Sequence, residues 1–240
     1  MRKRAHGPED KEIRRQAILA AARQVWGTCT FGELTMARVA RRARLAKGTL
    51  YLYFPTKEAL LLSVLESSLE RFLSELERRF AEDDAPGDAD GAAEVITSTL
   101  LADGPLVGLL AILGAILEHN LPEERIRQFK RWLLSRLERT GRCLAQRLPF
   151  LGEGGGLRLL LHLQALIAGL GGLTQPAPAV ARVLALPGFE PFRIDFGTEL
   201  RDMLAALLRG RAARGPGEPV LSTGPERTPG GNHDCGEPEG

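Results

Sequence analysis

The chain has 240 residues, of which 44% are hydrophobic, 26% charged and only 5% aromatic, with a formal net charge of +2. That composition excludes collagenous, disulfide-framework and wholly disordered chains, and its leucine- and alanine-rich core favours helices over strands. The charge is lopsided: residues 1–57 hold 13 Lys+Arg against 4 Asp+Glu, and the remainder carries an acidic excess, which suggests a polyanion-binding module joined to something else, or a solvated basic face.

In chain order, residues 1–12 are polar and contain Gly7-Pro8, so a flexible basic arm is expected there. Ile13, Ala17, Ile18, Ala21, Ala22, Val25 and Trp26 form one apolar stripe at helical spacing, predicting a helix over 13–26. Gly27, Thr28, Thr30 and Gly32 break it. A short helix follows over 35–43 with Thr35 as N-cap, then a three-residue turn, then a second short helix over 47–54 ended by Pro55. Thr56 caps a long helix over 57–80, where Leu61, Val64, Leu65, Leu69, Phe72, Leu73, Leu76 and Phe80 keep helical periodicity. The aspartate-rich run 82–91 reads as a loop. Further helices are predicted over 92–101, 106–119, 122–147, 157–173 and 195–209, with a short one over 179–185 among four prolines. Pro122 suits a first helical turn, and Glu123 and Glu124 favour that end of the dipole. Gly152 to Gly156 reads as a hinge-like connection. Residues 210–240 are rich in Gly and Pro and too poor in apolar surface to offset ordering entropy, so a disordered tail is expected. The expected fold class is all-α.

The most informative stretch is Thr35 to Lys57, TMARVARRARLAKGTLYLYFPTK. Helix, three-residue turn, helix is the helix-turn-helix geometry, in which the first helix braces the second in the major groove. Leu50 and Phe54, four apart, would pack inward, leaving Lys47, Gly48, Thr49, Tyr51 and Tyr53 outside. Gly48 is costly in a helix, and close approach of its backbone to a phosphate would account for it. Tyr51 and Tyr53, the only tyrosines in the chain, suit phosphate hydrogen bonds or thymine methyl contacts; taken singly, half-buried packing roles serve them equally well.

Together, Ala46-Lys47-Gly48-Thr49-Leu50-Tyr51-Leu52-Tyr53-Phe54-Pro55-Thr56-Lys57-Glu58-Ala59-Leu60, with Thr35 and Val39-Ala40 upstream, resemble the DNA-binding domain of TetR-family (tetracycline repressor) bacterial transcription regulators. The resemblance covers roughly residues 13–65. It implies a helix-turn-helix domain over 13–56 and a helical ligand-binding and dimerisation domain over 57–209. It implies DNA contacts from Thr35, Ala46, Lys47, Gly48, Thr49, Tyr51, Tyr53 and Lys57, with Lys57 at the family's phosphate-lysine position. The sequence departs from the family pattern at Arg44, where the turn usually has Gly, at Ala46, often Ser, and at Thr30, with Gly32 two residues later. Arg44 must either adopt a strained backbone or sit in a turn of another shape.

For the second domain the resemblance implies a homodimer on a palindromic operator and a small-molecule effector. Two segments suit a dimer bundle: 157–173, with Leu159, Leu163, Leu166 and Leu170, and 195–209, with Leu200, Leu204 and Leu207. Service in the subunit's own core is the competing role for both. Glu118, His119, Phe129, Trp132 and His162 are the polar and aromatic candidates for an effector pocket between about 92 and 173, and a leucine-lined pocket suits an apolar or acyl-like ligand.

Cys29, Cys143 and Cys235 are far apart and form no CxxC, which argues for a reducing compartment. The longest apolar run, Leu106 to Leu117, is shorter than the roughly 20 residues of a spanning helix. No apolar stretch follows the basic N-terminus. A cytoplasmic protein with no membrane partner is therefore expected. His233-Asp234-Cys235 match metal ligands in composition only, so no metal and no cofactor are assigned. The leading expectation is a ligand-released repressor. An activator, or a regulator governed by a protein partner, would use the same residues. An enzyme fused to a DNA-binding module finds no support, since GxSxG, HExxH and a phosphate-binding Gly loop are all missing from the sequence. A helical module whose basic end binds membrane or acidic protein is the third reading.

Overall fold

A computed structural model describes residues 8–114, 120–174 and 178–215. The described residues form ten α-helices, with 3-10 turns at Pro149–Leu151 and Glu190–Phe192 among the connections, and no strand. In order these are α1 (Pro8–Trp26), α2 (Met36–Arg42), α3 (Lys47–Tyr51), α4 (Lys57–Ala81), α5 (Ala89–Ala102), α6 (Gly104–Ile112), α7 (Glu123–Arg147), α8 (Gly155–Thr174), α9 (Pro178–Leu184) and α10 (Phe196–Arg214).

Helices α1 to α3 pack into a small unit around Ile18, Ala22, Val39, Leu50 and Phe54, all buried. The first turns of α4 complete it with Leu60, Leu61 and Val64, while Phe72, Leu73, Leu76 and Phe80 of the same helix enter the second unit. Helix α4 is thus a rigid strut common to both. In the second unit α5 pairs with α10 and α7 with α8, and α10 also packs on α8. Side-chain bonds set their register. Arg79 of α4 donates to the hydroxyls of Ser98 and Thr99 on α5, and Glu77 accepts from Thr140 of α7 while pairing with Arg136 and Arg139.

Several expectations are corrected. The arm expected over 1–12 is helical from Pro8, because Glu9 and Asp10 favour the positive end of the helix dipole; residues 1–7 lie outside the described residues. Helix α5 starts at Ala89, since Asp88 caps it by accepting from the amides of Asp90 and Gly91. The tail expected from 210 is helical to Arg214; 216–240 lie outside the described residues, as does His233-Asp234-Cys235. Gly155 and Gly156, expected in a hinge, open α8 instead. A helix of spanning length is also present: α8, Gly155–Thr174, is long and apolar enough to cross a membrane by length and composition. Leu159, Leu160, Leu163, Ile167 and Leu170 nevertheless turn into the protein core, so the same helix has a buried side within the bundle.

Candidate nucleic-acid interface and effector cavity

Helices α2 and α3 are short, so their caps and packing decide their placement. The Thr35 hydroxyl accepts from the Arg38 amide at 3.2 Å, the N-cap expected of it, and its own proton remains able to donate outward. Ala46 occupies the cap position of α3 with extended backbone and no side-chain cap bond, the consequence of having no hydroxyl there. Burial of Leu50 and Phe54, at about 1.5–3 kcal/mol each, anchors α3 instead.

The turn between them resolves the question raised by Arg44. Its φ is 56°, the sole positive φ outside glycine among the described residues. The turn has therefore kept a shape that suits glycine, and Arg44 carries the strain. Arg44→Gly is expected to stabilise the fold by about 1 kcal/mol in urea unfolding while weakening polyanion binding through loss of one charge. Arg38, Arg41, Arg42 and Arg44, whose positive charge beside the motif is plain in the sequence, line one groove next to Val25 and so form a single basic cluster.

Of the candidates, Ala46, Lys47, Gly48 and Tyr51 are exposed and Thr49 is half-buried. The Lys47 ammonium lies 5.8 Å from the Tyr51 ring centre, so the two share one side of α3. A Cβ built on Gly48 would meet nothing within 4 Å, so packing within the chain does not require glycine there. Tyr53 packs half-buried against the core, nearer to a packing residue than a projecting one. Lys57 is engaged internally: its ammonium donates to the Phe31 carbonyl at 3.1 Å and sits 3.9 Å from that ring's centre. It ties the loop after α1 to the start of α4. Leu52, which the resemblance leaves out of the DNA contacts, is 81% exposed.

Besides the shared helix α4, the corner between α5 and α6 fastens the small unit to the second one. Helices α5 and α6 meet at 93°, and Asp103 at the bend is buried. Arg23 of α1 and Arg71 of α4 each place a guanidinium nitrogen 2.8 Å from a separate oxygen of the Asp103 carboxylate. Burial is the largest influence on this carboxyl and opposes its charge. The two guanidiniums together outweigh burial and hold it below the usual carboxylate range. Beside it, the Trp26 indole N–H donates to the Pro105 carbonyl at 3.0 Å, and the ring lies so close over Gly108 that an added Cβ would stand 3.3 Å from it.

Farther along, Leu110 of α6 and Leu113, the residue that caps its C-terminus, form one wall of a largely apolar cavity of about 120 Å³. Leu69, Phe72 and Leu73 of α4, Leu133 and Leu137 of α7, and Leu160, Leu163 and Ile167 of α8 supply most of the rest, with Lys130 and Gln164 as polar members. The expected effector residues lie elsewhere. Phe129 is buried and stacks at 6.0 Å on Trp132, and neither lines the cavity, because both turn to another face of α7. His162 also lies outside it; burial first, then Arg211 and Arg158, push its imidazole below the ordinary histidine range. Glu118 and His119 lie outside the described residues.

Of the expected dimer leucines, five turn inward within the subunit and two stay half-buried. Leu159, Leu163, Leu170, Leu200 and Leu204 are buried in the subunit's own core, and Leu166 and Leu207 pack partly against it. The outward side of α8 instead carries Ala165, Ala168, Gly169, Gly172 and Leu173, together with the half-exposed Leu161, which also lines the cavity, and α10 exposes Met203. Periodicity identified the apolar stripes correctly, but the most apolar stripe went to the core.

Residues 18–64 match the family described as bacterial regulatory proteins of the tetR family, and residues 66–215 match the tetracyclin repressor-like C-terminal domain. The HTH-type transcriptional regulator EthR of Mycolicibacterium smegmatis is 40% identical over 58 residues, which are 24% of this chain and 27% of that protein. Two solved structures share the fold. A protein described as a transcriptional regulator from Rhodococcus sp. RHA1 superposes with a TM-score of 0.56 at 17% identity, over 82% of this chain and 95% of its own. One assigned to the TetR-family regulators from Syntrophomonas wolfei gives 0.54 at 15% identity, over 88% and 100%.

Proposed function

Because the chain belongs to the tetracycline-repressor family of bacterial DNA-binding transcriptional regulators, we propose that it is a homodimeric repressor that leaves a palindromic operator when a small apolar ligand enters the cavity between α4, α6, α7 and α8. One observation carries this reading. Helix α6 and its C-terminal cap wall the cavity with Leu110 and Leu113, and the corner from which the helix starts is fastened to α1 through Asp103, Arg23, Trp26 and Pro105. A ligand that displaces α6 would load that fastening, and the small unit would shift with it. Release then follows if the ligand binds the shifted state more tightly than the operator-bound one.

On the operator, Lys47, Gly48, Thr49 and Tyr51 would meet the major groove or its phosphates, with Thr35 donating to a phosphate from the start of α2. Arg38, Arg41, Arg42 and Arg44 would add backbone charge. Lys57 and Tyr53 would act more by holding the unit's shape. In the dimer, the outward sides of α8 and α10 would meet their counterparts, since small residues there let helices approach closely. The cavity is lined almost wholly by leucine, isoleucine and phenylalanine, which favours a ligand of small apolar volume over a planar cation. Action would be cytoplasmic, where the operator lies.

The test is selection from a library of genomic fragments at about 0.15 M salt, with wild type and Lys47→Ala/Tyr51→Ala. Wild type is expected to enrich a palindromic site. The double variant is expected to bind it about 10- to 100-fold more weakly, with the shortfall widening as salt falls, since a lost phosphate contact matters most there. Equal enrichment by both proteins would remove α3 as the reading element. An apolar library screened against the complex should yield a compound that releases the DNA; release by none would leave the ligand step unsupported.

A further inference from the structure

Helix α3 carries one feature that phosphate contacts do not use. Leu50 and Phe54 mark its buried face, and the backbone hydrogen bonds keep turning past Tyr51, with Tyr53 and Phe54 both donating to the Leu50 carbonyl. At about 100° per residue, Leu52 lies diametrically opposite the midpoint of that buried pair. Gly48, one turn earlier, lies on the same outward side and presents no side chain, while the Lys47 and Tyr51 side chains stand together to one side of it. The outermost ridge of the reading helix is therefore a bare glycine followed by a leucine that is 81% exposed.

Leucine is a poor residue to leave in water on a basic surface, and no described residue covers it. Its surroundings are cationic and polar, which suits a nucleic acid rather than an apolar protein face. Among base edges in the major groove, the apolar group is the C5-methyl of thymine. Gly48 lets the helix sit deep enough for Leu52 to reach it. We infer that Leu52 is a specificity-determining residue that reads a thymine methyl at one symmetry-related pair of positions in the operator. This deepens the DNA-binding reading above and rests on it.

Deoxyuridine differs from thymidine by that methyl alone, which makes the test direct. Full-length wild type and Leu52→Ala are titrated against the selected operator with each symmetry-related thymine pair replaced in turn by deoxyuridine. Covering one methyl contributes about four-fold per half-site, so the wild type is expected to lose on the order of 15-fold at one pair. Leu52→Ala is expected to bind the thymine and uracil forms of that pair equally, to discriminate as wild type does elsewhere, and to keep the wild-type salt dependence, because an apolar contact releases no counterions. The exposure of Leu52 makes a folding defect in this variant an unnecessary concern. A wild type indifferent to every replacement, or a Leu52→Ala protein that still discriminates at every pair, would overturn the inference while sequence-specific binding stands. Failure of the wild type to select any site would sink the DNA-binding reading itself, and this one with it.

Discussion

Gly156→Ala is expected to destabilise the subunit by about 3 kcal/mol, read as a fall in the urea midpoint at unchanged slope. Helices α7 and α8 cross through two glycines, Gly141 and Gly156, with no side chain between them. A Cβ on Gly156 would stand 2.0 Å from the Gly141 carbonyl oxygen, and one on Gly141 would stand 2.5 Å from the Leu157 amide nitrogen. Both obstacles are backbone atoms, so no side-chain rotation relieves the overlap and the helices must separate. Separation would cost packing at Leu144, Leu159 and Leu160, which are buried near the crossing, and would displace the α8 wall of the cavity. Gly210→Ala on α10 is the control: a Cβ there meets nothing within 4 Å, and the replacement should leave stability unchanged or raise it by up to about 1 kcal/mol. Equal effects of the two substitutions would contradict the crossing as described.

Asp103→Asn is expected to cost about 2 kcal/mol at neutral pH. Removing one partner of a buried ion pair typically costs about 3–5 kcal/mol, and the part-exposed guanidiniums of Arg23 and Arg71 reduce that figure here. The pH dependence gives a sharper reading. The folded Asp103 carboxyl lies below its unfolded value, so its contribution is fully present above the unfolded pKa of about 4 and is lost as pH falls through the lower folded value. The gap between wild type and Asp103→Asn should therefore be constant from pH 7 to about 5 and close at more acid pH. A gap that persists to pH 2 would mean that the asparagine disturbs packing and that the ion pair contributes little. The same substitution should loosen α1 from the α5–α6 corner, which hydrogen exchange at the amides of α1 would register as faster opening.

Much of this protein can be read from residue order because its determinants are local. The stripe from Ile18 to Trp26, the Thr35 and Thr56 caps, and the Leu50–Phe54 pair each act within a turn or two of helix, so periodicity and capping chemistry specify them before any long-range contact forms; Ile13 and Ala17, expected in the same stripe, are exposed because no described residue packs over them. The DNA-reading unit is legible for the same reason: it is built from consecutive residues, and its cations lie in one quarter of the chain. The N-terminus of α1 lies a few residues ahead of any apolar period, because its first turn is polar and acidic; Glu9 and Asp10 are a sign of it in the sequence.

What the order of residues could not determine is which side of an apolar helix faces which neighbour. Helix α8 is apolar nearly all round, so its pattern does not distinguish the subunit core from an outer face, and only the packing of α6, α7 and α10 against it assigns Leu159, Leu163 and Leu170 inward and Leu161 outward. The cavity has the same origin, since its walls come from four helices spread over residues 69–167 and no local pattern announces their convergence. The Arg23–Asp103–Arg71 corner joins residues up to 80 positions apart, and Lys57 is drawn onto Phe31 across 26. In sequence these are ordinary surface charges. Their roles arise when folding brings opposite charges and aromatic rings together around groups, Asp103 above all, that have lost most of their water, and there the electrostatic attraction is stronger than between fully solvated charges.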